Sequence, residues 1–325
     1  MALIVSLLKK GSIMLLVLLC MSLYSHLNTM KPKTMMVEEA ALPMNWFPTQ
    51  DLQERLAHRR QRVNEVCHQY GFNHFINSKE FLVNKKHGLV WCNVFKAAFF
   101  GTLTFGTDNT IANISSRNTI LCLTSPSVRL DEQSLRAVLQ SSPPPLAFMI
   151  ARHPFIRLVS AYRDKIARYA PPYQNLRHRI MKAHPELGVG TSVMLLGILF
   201  GQRQYPTFPQ FVQYVLDRYR SKLPLNEHWE TMFKYCTPCQ ANFTVFAKVE
   251  TLDEDSSYIM HASGIQGLLK PKIINRGPEG SSEKVAKHFL CQLSKRQIRG
   301  LISLYKFDLE MFEYDAKMYL DCASE

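Results

Sequence analysis

The chain has 325 residues, with 39 Lys and Arg against 26 Asp and Glu, and 8 Cys. An apolar share of 46% with 20% charged residues excludes a wholly disordered chain, and 14 Gly without an internal repeat exclude collagen-like and solenoid architectures. The formal charge of +13 calls for a polyanionic partner, whether nucleic acid, anionic lipid, acidic glycan or an anionic nucleotide.

Residues 11–27 contain no Asp, Glu, Lys or Arg and reach the short end of what spans a bilayer. Lys9 and Lys10 precede them and Lys31 and Lys33 follow, so the flanking charge says little about orientation. No small-x-small cleavage site follows, which favours an uncleaved signal anchor over a secretory signal peptide. A buried core helix is the third reading, and the run lacks the amphipathic period that such a helix would show. Residues 1–10 then form a cytosolic tail, and the body of the chain is luminal, as in a single-pass type II membrane protein. Sequons at Asn113 and Asn242 agree with a lumen. Seven Cys lie beyond the anchor, so one is free or pairs between chains, which leaves a homodimer open. A luminal protein meets no nucleic acid, and the polyanion reduces to an acidic glycan or an anionic nucleotide.

Residues 28–50 hold Pro32, Pro43 and Pro48 and read as a stem. The luminal domain, 51–325, opens on a helix over 51–70. It has Leu52, Leu56, Val63 and Val66 at helical offsets and Asp51 as N-cap. The Arg and His residues within 57–64 read as a solvated face, or else as a glycan or membrane contact. A core domain starts near Glu80, with strands over 81–84 and 89–94 around the turn Lys85-Lys86-His87-Gly88. Further strands are expected over 119–123, 146–151 and 243–249. Helices are expected over 154–169, 208–219, 250–263, 281–290 and 295–307, two of them entered through Pro154 and Pro209. Strands alternating with helices predict an α/β fold with a central, mainly parallel sheet flanked by helices.

Three segments carry chemistry. After the second strand comes Phe95-Lys96-Ala97-Ala98-Phe99-Phe100-Gly101-Thr102. A strand that runs through a tight turn into a helix offers free backbone N–H groups to an anion, and Lys96 adds a charge; the alternative is a solvated lysine. Next, Arg152-His153-Pro154-Phe155-Ile156-Arg157-Leu158-Val159-Ser160 runs from a strand end into a helix. Arg152 offers a planar fork to phosphate oxygens and Ser160 a second donor, unless the segment is only a basic amphipathic helix. Last, Asn226-Glu227-His228-Trp229 precedes Cys236 and Cys239. That Cys-x-x-Cys reads as structural disulfides, with a thiol-redox pair or a zinc site as alternatives, and zinc lacks a second ligand pair.

These segments resemble the Golgi carbohydrate sulfotransferases, in the branch of the chondroitin/dermatan 4-O-sulfotransferases and the HNK-1 sulfotransferase. RHPFIRLVSAYRDK from Arg152 looks like that family's 3′-phosphate segment, and NEHWETMFKYCTPC and FAKVETLDEDSSYIM like its downstream signatures. LYKFDLEMFEYDAKMYL resembles its C-terminal segment and QERLAHRRQRVNEVC its N-terminal helix, so the likeness runs over residues 50–321.

The resemblance implies a P-loop-like sulfotransferase fold, a Golgi membrane location, and 3′-phosphoadenosine 5′-phosphosulfate (PAPS) as donor with no metal. The acceptor implied is a chondroitin- or dermatan-like glycan. Residues 95–102 match the 5′-phosphosulfate loop with Lys96 as its lysine, and Arg152 and Ser160 match the holders of the 3′-phosphate. His228 is the candidate general base, with a structural histidine packed on Trp229 as the alternative. His153 is a poorer candidate, since it lies among the phosphate-binding positions. The loop departs from the family pattern Pro-Lys-Val-(Ala/Gly)-Cys-(Thr/Ser)-Asn-Trp, with Phe100 at the hydroxyl position and Thr102 at the tryptophan. Losing such a donor costs about 2–4 kcal/mol of transition-state stabilisation by analogy with an oxyanion hole. A weakly active or inactive paralogue that binds glycan or assists another enzyme is therefore the alternative function.

Overall fold

In the computed structural model the described residues are 45–72, 75–97, 129–168, 170–188, 205–266 and 281–325. The expected anchor over 11–27, the strand over 119–123, and Asn113 lie outside them. Among the described residues, no helix is long and apolar enough to cross a membrane.

The chain enters on α1 (Gln50–Tyr70), whose cap is Thr49 rather than Asp51: the Thr49 hydroxyl accepts from the Leu52 N–H at 3.2 Å. Asp51 instead sits in the first turn, where its charge suits the positive helix end. Leu52, Leu56, Val63 and Val66 are buried, as their spacing requires. Arg59 departs from the solvated face expected of it. It is buried, and Nη1 donates to Asp255 Oδ2 at 2.7 Å while Nη2 donates to Thr251 Oγ1 at 3.0 Å.

Strands β1 (Phe81–Asn84) and β2 (Leu89–Cys92) form an antiparallel hairpin around Lys85–His87, with Gly88 in the left-handed region at φ 57°. After α2 (Glu132–Leu139), β3 (Leu146–Ala151) pairs parallel to β2, and later β4 (Val245–Lys248) pairs parallel to β3. The order is β1-β2-β3-β4, so two of three pairings are parallel, in keeping with the mixed α/β reading. β2 and β3 are buried along nearly their whole length and show no alternation, as befits strands covered on both faces.

The helix expected over 154–169 is two pieces: α3 (Pro154–Ala161) and a π-helical turn, Tyr162–Ile166, closed by Ala167 N–H on Tyr162 O at 2.8 Å. There follow α4 (Gln174–Ala183), α5 (Phe208–Arg220), α6 (Met232–Cys236), α7 (Leu252–Ala262) and α8 (Ser281–Leu290). The helix expected over 295–307 is likewise interrupted. α9 (Lys295–Leu304) stops at Tyr305, whose buried hydroxyl donates to Trp229 O at 2.7 Å, and α10 (Lys306–Met311) resumes before α11 (Lys317–Asp321).

Two apolar clusters result. One joins α1, the sheet, α6 and α7; the other joins α3, α5, α8, α9 and α11. Among the described residues three disulfides reinforce them, Cys67–Cys239, Cys92–Cys236 and Cys291–Cys322. Cys236 and Cys239 are each bonded to a distant partner, which contradicts a thiol-redox pair or a zinc site there. The first two bridges close 172 and 144 residues of chain and restrict the unfolded state by about 4–5 kcal/mol each in the chain-entropy account.

Candidate active site

β2, β3 and β4 run in one direction, and ligands of open parallel sheets sit beyond the carboxyl ends of such strands. Three cations occupy that edge. Lys96 lies in the turn after β2, Arg152 directly follows β3, and Lys248 closes β4 in register with Ala151.

Lys96 is left-handed, at φ 66°, a conformation that costs a non-glycine residue and is retained only where surroundings enforce it. The enforcing contacts are visible. Arg152 Nη1 donates to Lys96 O at 2.8 Å, and Arg157 Nε donates to the neighbouring Phe95 O at 2.7 Å. The Lys96 side chain pairs with Asp164, on the π-helical turn. Lys165 Nζ and Arg168 Nη2 reach the same carboxylate, each at 3.0 Å. These cations outweigh burial and hold Asp164 at about 2, so it stays ionised; burial pulls Lys96 below its ordinary value.

The segment from Arg152 to Ser160 divides by direction. Phe155, Leu158 and Val159 are buried core residues and Pro154 opens the helix, so the side chains left toward the open side are those of Arg152, Ile156 and Ser160. His153 is committed at both nitrogens: Nδ1 accepts from the Phe155 N–H at 3.2 Å, capping α3, and Nε2 donates to Asp315 O at 2.9 Å. Arg157 is fully buried and donates to three carbonyls, Phe95 O, Glu230 O at 2.6 Å and Glu227 O at 3.1 Å. It is a clamp between the Lys96 turn and the His228 segment. A buried cation is tolerated there because charge-assisted hydrogen bonds replace its water. Among the described residues the Ser160 hydroxyl has no hydrogen-bond partner.

His228 is nearly buried, and its neighbour is not the Trp229 ring. It packs on Phe95 at 4.8 Å between ring centroids, while Trp229 packs on Phe211. Asn226 Oδ1 takes the His228 backbone N–H at 3.1 Å, which fixes that oxygen as an acceptor toward the ring. Nδ1, at 2.8 Å, must then be the protonated nitrogen, and Nε2 carries the lone pair. Burial, with Lys165 and Lys96 next in weight, pulls the ring down to about 3, so it is neutral at ordinary pH. The fully buried Asp308 anchors the next turn of chain, accepting from the Met232 and Phe233 N–H groups at 2.8 Å each at the start of α6.

Thus the structure brings Lys96, Ala97, Arg152, Arg157 and His228 to one edge, whereas Ala98, Phe99, Phe100, Gly101 and Thr102 lie outside the described residues. Asn242 is exposed and left-handed at φ 46°, in the turn before β4. Sequence reasoning missed Asp164, Lys165 and Lys248, although all three stand in the motifs named above. It also missed Tyr173, whose hydroxyl lies 3.2 Å from His228 Nδ1. A separate cleft of about 460 Å³ beside α1, lined by Gln53, Leu56, Arg60, Thr244 and Tyr258 among others, contains none of these site residues. Among the described residues, no group of three or more His, Cys, Asp or Glu could hold a metal.

Comparison with known proteins identifies relatives of the chain. Rat carbohydrate sulfotransferase 11 is 30% identical over 187 residues, covering 54% of this chain and 48% of the relative. Human carbohydrate sulfotransferase 9 is 27% identical over 285 residues, covering 83% and 61%, and human carbohydrate sulfotransferase 10 is 30% identical over 187 residues, covering 53% and 48%. The chain thus spans about half the length of the first curated relatives that it matches. No solved structure matches it significantly. The profile of the sulfotransferase family matches residues 79–315, which takes in every site residue above, and the chain belongs to that family.

Proposed function

We propose that the protein transfers a sulfuryl group from PAPS to a hydroxyl of a glycan, with the 4-hydroxyl of N-acetylgalactosamine in a chondroitin- or dermatan-like chain as the preferred acceptor. The observation that carries this reading is the meeting of Lys96 and Arg152 at one strand edge, with the Arg152 guanidinium on the Lys96 carbonyl. One nucleotide with an anion at each end can then span the two. The relatives' names supply the carbohydrate class. The anchor, the luminal orientation and the Golgi location follow from the sequence pattern and belong to the same proposal.

In this reading Arg152 and Ser160 take the 3′-phosphate and Lys96 lies at the oxygen bridging sulfur and the 5′-phosphate. The step resembles phosphoryl transfer, where positioning and charge stabilisation dominate. His228 Nε2 accepts the proton of the acceptor hydroxyl as that oxygen bonds to sulfur. The sulfur–oxygen bond to the 5′-phosphate breaks in line, and adenosine 3′,5′-bisphosphate leaves with the charge, which Lys96 stabilises. A neutral His228 is what a base requires. An arriving phosphosulfate offsets Lys96 and Lys165, two of the cations that depress the ring, and so raises its proton affinity as the reaction needs it.

The pairing of Lys96 with Asp164 and the phenylalanine at position 100 favour one second reading, a weak or inactive paralogue that binds glycan. Labelled donor, offered with desulfated chondroitin, dermatan and terminal-hexose acceptors, separates the two. Sulfate incorporation into the first two is expected, and none into any acceptor would leave only glycan binding.

A further inference from the structure

Charged side chains at the strand edge fall into two kinds. Lys96 and Lys165 already have Asp164. Lys248 has no carboxylate within 4 Å among the described residues, although it is half-buried. Its ammonium lies 4.7 Å from the centre of the Tyr314 ring, and its backbone N–H is taken by Asp255 Oδ2 at 2.8 Å. The Tyr314 ring is itself fixed, since its hydroxyl donates to Glu250 Oε2 at 3.0 Å and its face packs on His153. Glu250, Glu313 and Asp255 act on the ammonium only from beyond that 4 Å distance, so they and the cation–π contact recover only part of the cost of its burial. Such a charge is retained where an anion arrives from outside.

The neighbouring cation says which anion. Ala151 and Lys248 are register partners on β3 and β4, and Arg152 is the next residue of its strand. Arg152 likewise has no carboxylate within 4 Å among the described residues, and Glu250 is the carboxylate that acts on both cations from beyond that distance. Two cations at adjacent strand ends, one a planar fork and one a point charge, suit a dianionic phosphate monoester better than a singly charged group.

We propose that Lys248 and Arg152 together form the subsite for the 3′-phosphate of the donor nucleotide, with Tyr314 aiming the lysine. This rests on the reading of Arg152 given above and adds a binding residue to it. Lys248 is a ground-state contact: it holds the nucleotide before and after transfer, far from the bond that breaks.

The test compares two ligands that differ only in that phosphate, adenosine 3′,5′-bisphosphate and adenosine 5′-monophosphate, titrated calorimetrically into the full chain. The wild type is expected to prefer the bisphosphate strongly. Lys248→Met keeps the aliphatic stem on Tyr314 and should weaken bisphosphate binding roughly 10- to 100-fold while leaving the monophosphate unchanged. Lys248→Arg should restore most of the preference. A wild type that binds neither ligand overturns the donor reading and this proposal with it. A wild type that discriminates, with a folded Lys248→Met that discriminates equally well, overturns the proposal alone and leaves Arg152 as the sole cation. Equal weakening toward both ligands places Lys248 elsewhere and also overturns it. Should Lys248→Met fold poorly, Lys248→Gln supports the same comparison.

Discussion

The two ends of the strand edge differ in how their charge is held. At one end three cations, Lys96, Lys165 and Arg168, surround one carboxylate, Asp164. At the other, Arg152 and Lys248 meet a carbonyl and an aromatic face and no carboxylate within 4 Å among the described residues. A cation fixed in place by a partner is pre-aimed, and it acts most where charge appears during reaction. A cation with no carboxylate paired to it attracts a charge already present, which is uniform binding and adds nothing to the chemical step. In the proposed reading, turnover falls to the Lys96 end and affinity to the Arg152 end.

The sharpest way to break that reading begins with the proposed base beside the first end. His228→Ala should lower turnover roughly 10²- to 10⁴-fold. With the ring of the free enzyme drawn down to about 3, kcat/KM should stay flat between about pH 5 and 7 on this group's account. An acid limb of kcat/KM near the ordinary histidine value of 6.5 would show a base other than the buried ring. The same depression has a stability consequence of definite sign. The unfolded ring takes up a proton near 6.5 and the folded one resists until about 3, so His228 contributes fully above 6.5 and withdraws stability as pH falls through that window.

Crossing the two ends comes next. Lys96→Ala should cut kcat roughly 10²- to 10³-fold with little change in donor KM, and Arg152→Ala should raise donor KM roughly 10- to 100-fold with a smaller change in kcat. Steady-state kinetics with varied PAPS decides, and the reverse pattern would exchange the roles of the two ends. The smallest effect concerns the carboxylate at the Lys96 end. Asp164→Asn should lower donor KM by about fivefold, since a partly exposed ion pair of about 1 kcal/mol no longer competes for Lys96. A higher KM would mean that Asp164 orients the lysine rather than opposing the donor.

Local pattern revealed the four described strands, the helix entries at Pro154 and Pro209, and the Lys96 turn, because each depends on neighbours in sequence. It could not reveal that Arg59 is buried, since the carboxylate that compensates it is 196 residues away. It could not pair the cysteines, because seven thiols beyond the expected anchor allow many connectivities and only the fold brings Cys67 to Cys239 and Cys92 to Cys236. In the site, Arg152 and His228 stood out by motif. Arg157, from the same motif, turned out to be a clamp because its orientation on α3 faces the core. Asp164 was hidden for a different reason: the π-helical turn shifts the side chains after Ala161 out of ordinary helical phase, and that turn leaves no mark in residue spacing.

The two bridges to Cys236 and Cys239 bear on how the chain is made. During synthesis the thiols of α1 and β2 emerge some 140 residues or more before their partners. In that interval Cys67 and Cys92 can close only on each other or on another early thiol. The correct pairs form after the parallel sheet has threaded Cys236 and Cys239 back to the start of the domain. Native pairing thus waits for sulfur partners that arrive late, and the reduced chain should regain its bridges faster in an oxidising buffer that contains a disulfide isomerase than in one without it.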